Sequence, residues 1–387
     1  MPSVKHGFTL TIIGILRTHY GNKAEQILDG NLLLQYLNIK TRAANRGSKS
    51  RAGFANHYAL YVLIEDYVNK GFQEKGGYDR YEGAQFSTLF RRQRELPFGS
   101  KLQNHALNHR LNEEFKKYFP TSQYLPIIRD AETNRYWINE NLLKMTLNGQ
   151  HLNLALAIKE IIEAYISARQ SAFSEFMHYC QQLIGIEESG QAQATEFIRG
   201  LLRPNVDARV FEIVSYAILK ESYAGQQIYW GWSPDELNAD YLVLYKTGRT
   251  NANDGGIDFV MKPLGRFFQV TETVDAGKYF LDIDKVQRYP ITFVVKSEDS
   301  VEDILGRIRE QAVARYPIQT VVKRYMGCVE EVINIQELMG RYDAVLHSGR
   351  GDSVIKEIVL QSRVEFNVQA EGDEASAQAD SESDDEE

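Results

Sequence analysis

The sequence predicts an α/β chain with a mostly α-helical region at 1–200, a mixed β-sheet flanked by helices at 201–367, and a disordered acidic tail at 368–387. Three observations predict it. Before residue 200 apolar side chains recur every three or four positions, the period of an amphipathic helix. After it come short runs of aromatic and β-branched residues, bounded by turn formers, that read as strands. The last segment has almost no large apolar side chain and cannot bury enough surface to order itself.

The apolar run 8–16, behind Lys5, reads as a buried first helix or strand; it lacks the small-residue cleavage site of a signal peptide. Helical spacing follows over 23–37, 54–68, 86–95, 106–118 and 152–184, separated by turn-rich stretches at 43–53, 71–83 and 120–126. A helix over 208–221 opens with Asp207 as its N-cap. Strands are expected over 227–232, 241–246, 257–262, 266–272 and 291–296, with helices over 283–289, 301–315 and 335–342. The aromatic residues Tyr229, Trp230 and Trp232 read as strand core or edge packing.

No stretch approaches the ~18–20 continuous apolar residues of a membrane span. Cys180 and Cys328 are too few for a disulfide framework and read as idle thiols in a reducing cytosol, so a cytoplasmic protein is expected. Net charge is −8, yet it is unevenly spread: residues 1–130 hold 19 Lys+Arg against 11 Asp+Glu, whereas residues 371–387 hold 9 acids and no base. A basic front half can neutralise phosphates despite the global sign. It offers two patches. One runs from Lys40 to Arg51 and contains Arg42, Arg46, Lys49 and Arg51 without an acid. The other is Phe90-Arg91-Arg92-Gln93-Arg94, followed by Lys101, Asn104, His105, Asn108, His109 and Arg110. Arg and Asn suit base edges, while Lys and Ser suit phosphates.

The stretch richest in chemistry is Asn253-Asp254-Gly255-Gly256-Ile257-Asp258-Phe259-Val260-Met261, followed by Arg266-Phe267-Phe268-Gln269-Val270-Thr271-Glu272. The glycines permit a tight turn, and a hairpin would set Asp258 beside Gln269. A carboxylate at one strand end with an oxygen donor on its neighbour is a cradle for Mg²⁺ in phosphodiester hydrolysis.

GGID followed by a strand bearing QV resembles the Mrr-like branch of the PD-(D/E)xK nuclease superfamily, where a Gln replaces the second acid and a Glu from the preceding helix compensates. Arg209-Val210-Phe211-Glu212-Ile213-Val214 is similar to that helix, with Glu212 at the matching position. The helix at 283–289 and the strand Ile-Thr-Phe-Val-Val-Lys at 291–296 are similar to the elements that follow. The resemblance covers roughly ninety residues, and the order of elements carries it more than any single motif. It implies a restriction-endonuclease-like sheet, catalysis by Asp258, Gln269 and Glu212, and Mg²⁺ held by Asp258, Glu212 and the Val270 backbone. The family pattern ends Q-x-K, whereas this chain has Gln269-Val270-Thr271. Thr271 cannot supply positive charge; Lys262, on the face of Asp258, and Lys220, two helical turns from Glu212, are the candidate replacements. The resemblance implies a type II restriction endonuclease acting on double-stranded DNA as a homodimer, with a cognate DNA methyltransferase in the cell. The alternatives are an inactive DNA-binding protein on the same fold and a structure-specific repair or junction nuclease.

Overall fold

The computed structural model describes residues 5–42, 50–75, 77–100, 102–184, 191–204, 206–247 and 257–366. The tail at 368–387 and the glycine turn at 253–256 lie outside them, as do Arg46, Lys49 and Lys101. The chain is α/β and divides into two compact units, Met1–Phe176 and Met177–Glu387, the division falling inside the helix Ala155–Leu183. Among the described residues no helix is long and apolar enough to cross a membrane.

In the first unit the helices Gly7–Tyr20, Ala24–Gly30, Leu32–Thr41, Ser50–Asn69, Phe86–Glu95 and Leu111–Tyr118 surround one core that includes Ile12, Leu37, Tyr58, Tyr67 and Phe115. The apolar run after Lys5 is thus a buried helix. The single helix expected over 23–37 is broken. Asn31 leaves helical geometry at φ −112 and ψ 120, its carbonyl side chain accepts the Leu34 N–H at 3.0 Å, and its amide donates to the Leu142 carbonyl at 2.9 Å. An N-cap satisfied from both sides outweighs continuation of the helix. Residues 106–110 form a π-turn that widens the start of the next helix.

The front region also holds strands that helical spacing does not reveal. Ile127–Asp130 pairs with Arg135–Ile138, which pairs with Ala84–Gln85; Lys144–Leu147 pairs with Gln150–Asn153. Asn148 and Gly149 at the second hairpin's turn have φ of 50° and 76°, the two left-handed residues a type I′ turn requires.

The second unit is built on a five-stranded sheet, numbered along the chain β1 (Val243–Lys246), β2 (Phe259–Lys262), β3 (Arg266–Thr271), β4 (Ile291–Val295) and β5 (Val329–Ile333). They lie side by side in that order. The first three form an antiparallel meander, and β3, β4 and β5 run parallel. Parallel neighbours need crossovers, supplied by Ala276–Lys285 between β3 and β4 and by Val301–Arg315 with Gln319–Met326 between β4 and β5. Every residue of β4 is buried, as its unbroken Ile-Thr-Phe-Val-Val run requires of a strand covered on both faces.

The helix Ala208–Tyr223 covers one face of the meander: Tyr216 meets Phe259 in a tilted ring contact at 5.1 Å between centroids and donates to the Leu244 carbonyl at 3.1 Å. Asp207 caps it by accepting the Arg209 N–H at 2.7 Å. On the opposite face Tyr279 stacks on Phe293 at 4.1 Å in a second core with Phe280, Ile304 and Ile308.

The helix expected over 283–289 is displaced. It runs over Ala276–Lys285, started by Asp275, which accepts the Lys278 N–H at 3.1 Å. Gln287 and Arg288 then adopt left-handed φ values of 52° and 64°, and Tyr289 precedes a proline, which disfavours helix.

Candidate active site at the mouth of the meander

Asp258 sits one residue before β2, where both neighbouring strands grip its backbone. Its N–H donates to the Phe268 carbonyl at 3.1 Å, and its carbonyl accepts from the Thr247 N–H at 3.0 Å. Phe259 pairs with Phe268, so the next residue of β3, Gln269, comes level with Asp258. The hairpin therefore brings the two together: Gln269 Nε2 donates to Asp258 Oδ2 at 2.8 Å, and the Val270 N–H donates to the same oxygen at 2.7 Å. A carboxylate only accepts, so the Gln269 amide nitrogen faces it. The other end of that amide, Oε1, is buried and has no hydrogen-bond partner among the described residues. That leaves a buried oxygen acceptor beside the Asp258 carboxyl with its lone pairs open.

Glu212 comes from the helix Ala208–Tyr223 and is 8% exposed. In the sequence Phe-Glu-Ile-Val-Ser-Tyr-Ala-Ile-Leu it is the one charge in a stretch buried on all sides. It pairs with Arg209 one turn back, and Lys246 Nζ lies 3.1 Å from its Oε1. Glu212 and Asp258 are near enough for their charges to interact. Burial pushes the Asp258 carboxyl up to about 7 and the Glu212 charge adds to that rise, while the Val270 N–H, Arg209 and Lys246 pull it back. Two carboxylates that repel each other in a buried place are poised for a cation.

Lys246 was not among the sequence candidates. It ends β1, opposite Phe259, the neighbour of Asp258. Its signal lay in strand parity: Leu242 and Leu244 point into the core, and Lys246 continues that series on a face where lysine is out of place. The two lysines that were candidates are occupied elsewhere. Lys262 lies at the far end of β2, exposed, with its ammonium 5.0 Å from the Tyr245 ring centroid. Lys220 is paired with Glu357 at 2.7 Å. Thr271 is buried; its hydroxyl accepts from Lys278 Nζ at 3.2 Å and donates to the Thr273 carbonyl at 3.2 Å. Glu272 is paired with the buried Lys296 at 2.8 Å.

The oxygen donors suit Mg²⁺, a hard cation that prefers carboxylate and amide oxygens. Among the described residues no three His, Cys, Asp or Glu side chains cluster as a metal site. The donors here are two carboxylates, Asp258 and Glu212, with the Gln269 Oε1 acceptor and the peptide of Val270.

The basic patches of the first unit are partly described. Arg42 is exposed at the end of Leu32–Thr41, and the side chain of Arg51 lies outside the described atoms. Arg91 is exposed. Arg92 is not a free cation: its guanidinium forks onto Glu65 with bonds of 2.8 and 2.9 Å. Arg94 donates to the Ser100 carbonyl at 2.7 Å, and Asn104 is half-buried just before the π-turn.

Of the core or edge packing expected for Tyr229, Trp230 and Trp232, the core half fails: Tyr229 and Trp230 lie in an exposed two-stranded ribbon, Gln227–Gly231 with Leu237–Tyr241, and Trp232 follows at its tip.

Comparison with protein-family models, with curated proteins and with solved structures finds no match to this chain.

Proposed function

We propose that this chain is a Mg²⁺-dependent endonuclease of the type II restriction class, acting on double-stranded DNA in the cytoplasm beside a cognate DNA methyltransferase. The observation that supports it best is the buried pair Asp258 and Glu212, with Gln269 bridging to Asp258 and leaving Oε1 unpaired. Asp258, Glu212 and Gln269 Oε1 would hold the ion. Mg²⁺, when bound, polarises the phosphodiester and lowers the pKa of the attacking water. Gln269 and the Val270 N–H fix the Asp258 carboxylate in one orientation, so its free rotation is removed before substrate arrives. Lys246 supplies the positive charge that Thr271 lacks, at the strand end where charge develops on the phosphate. Arg42, Arg91 and Arg94 are the described cations offered for the DNA backbone and base edges. A short two-fold site would suit a homodimer.

Plasmid cleavage with and without Mg²⁺ tests the proposal. Discrete fragments that need Mg²⁺ and vanish in Asp258→Ala, with DNA binding kept, are expected. Unimpaired cleavage by that variant removes Asp258 from the chemistry. Thr271 in place of the motif lysine favours a second reading, a DNA-binding platform without catalysis. That reading requires sequence-selective binding by wild type with no strand scission at any Mg²⁺ concentration.

A further inference from the structure

The ribbon Gln227–Gly231 with Leu237–Tyr241 stands apart from the five-stranded sheet and is exposed along almost its whole length. Its register places Tyr229 opposite Ala239, Gly231 opposite Leu237 and Gln227 opposite Tyr241, so these six residues share one face. None is charged. From Tyr241 the chain passes through buried Leu242 into β1, where Val243 and Tyr245 are exposed and Leu244 is buried. The two-residue alternation therefore carries one apolar strip from Leu237 through Tyr241 and Val243 to Tyr245. Tyr229 is 66% exposed, Leu237 56% and Tyr241 54%, and Trp232 at the ribbon tip is 93% exposed. Side chains of this size, roughly half open and worth ~150–250 Å² each when aromatic, present on the order of 600 Å². That is the upper end of the range for the largest apolar patch on a soluble monomer, and patches of that size often mark a binding surface.

Charge identifies what covers it. Residues 222–245 contain no Lys or Arg, whereas Asp235 and Glu236 are exposed at the ribbon tip; Asp240 is exposed as well, on the ribbon's other face opposite Ile228. A phosphate backbone would be repelled, so the strip is a protein surface. Its other end is positive: Lys262 pairs in register with Val243 and lies over Tyr245. The strip is thus negative at its tip, uncharged along its length and positive at its base. That polarity is self-complementary when two copies lie antiparallel: the tip acids of one meet Lys262 of the other, and a two-fold axis passes near Tyr241. A parallel arrangement would oppose like charges. The area also fits, being close to the ~800 Å² each partner contributes to a standard interface.

We infer that this strip is an isologous interface with a second copy of the chain. It rests on the homodimer of the proposed function and locates its contact, and the test separates the two because solution mass is measured without DNA or metal. Light scattering on the full chain at tens of micromolar should give twice the 44.3 kDa of one copy. Tyr241→Asp and Leu237→Asp should each weaken association at least about tenfold while leaving the circular dichroism spectrum unchanged, since both side chains are exposed. Lys262→Glu should weaken it similarly, and adding Glu236→Lys to the same chain should restore it. A wild type that stays monomeric up to ~100 µM overturns the interface, as does a dimer indifferent to Tyr241→Asp. Failure of the charge swap to restore association overturns the antiparallel arrangement.

Discussion

Lys246 Nζ lies 3.1 Å from Glu212 Oε1, which joins the edge strand of the sheet to the helix that precedes it. The contact brings an ammonium to Glu212 from β1 and not from the strand that carries Gln269, and under the proposed function this lysine takes the part of the missing motif residue. Lys246→Met keeps the length and apolar stem and removes the charge. We expect DNA binding to persist and the cleavage rate at saturating DNA and Mg²⁺ to fall by about 100-fold or more. Because Lys246 pulls the Asp258 carboxyl down, its loss should also move the acidic limb of the pH–rate profile upward. A variant with unchanged rate and unchanged profile would leave Lys246 a structural partner of Glu212 alone.

Asp258 makes stability depend on pH in an unusual direction. Its carboxyl is raised from 3.8 to about 7, first by burial and then by Glu212. Between those values the folded chain holds a proton that the unfolded chain has released, so this group's contribution falls as pH rises from about 4 to about 7 and is level above that. Asp258→Asn cannot ionise and should lose this component. Urea melts at pH 5, 6, 7 and 8 should show the variant gaining on wild type across the window, by on the order of 1–3 kcal/mol at pH 8 without metal. Parallel curves for the two proteins would mean that Asp258 is ionised throughout.

The same proton should compete with Mg²⁺. A cation binds the carboxylate form, so below pH 7 the apparent affinity should drop towards about tenfold per unit, and it should level off above. Glu212→Gln removes both a donor and the second cause of the upward shift. It should therefore weaken binding at pH 8 yet move the start of the pH dependence lower. Calorimetric titration of wild type and variant, without DNA, reads both effects. A single flat affinity from pH 5.5 to 8 would place the ion elsewhere.

The pairing of Asp258 with Gln269 was legible because a hairpin fixes register, and register fixes which side chains meet. Glu212 was legible only through the resemblance of 209–214 to the helix that precedes the hairpin, and its burial in an otherwise apolar stretch is what the structure adds. Lys246 was not legible from the Asp258 strand or the Glu212 helix, where Lys262 and Lys220 stand, because it arrives from the neighbouring strand; only the Leu242, Leu244, Lys246 parity carried its signal. Alternation alone does not say which face meets water, so the ribbon aromatics read equally as core or as edge packing. Asn148-Gly149 is a type I′ turn signal, and the hairpin it closes lies inside a region whose spacing is otherwise helical. Asp275 was the cap that set the displaced helix. In both cases a turn or cap residue outweighed the periodicity around it.

Arg91 and Arg92 are neighbours in sequence with different work to do. Arg92 forks onto Glu65, which is mostly buried, and this ties Phe86–Glu95 to Ser50–Asn69. Arg91 is exposed on the same helix. If the helix lies along DNA, Arg91→Ala should reduce the slope of log K against log salt by about 1 and leave Tm unchanged. Arg92→Ala should instead cost about 1 kcal/mol of stability, because it strands the Glu65 carboxylate, and should alter the salt slope little. The two variants measured side by side separate phosphate contact from internal pairing. An unchanged slope in Arg91→Ala turns this face of the helix to solvent, and the DNA must then be met by other cations.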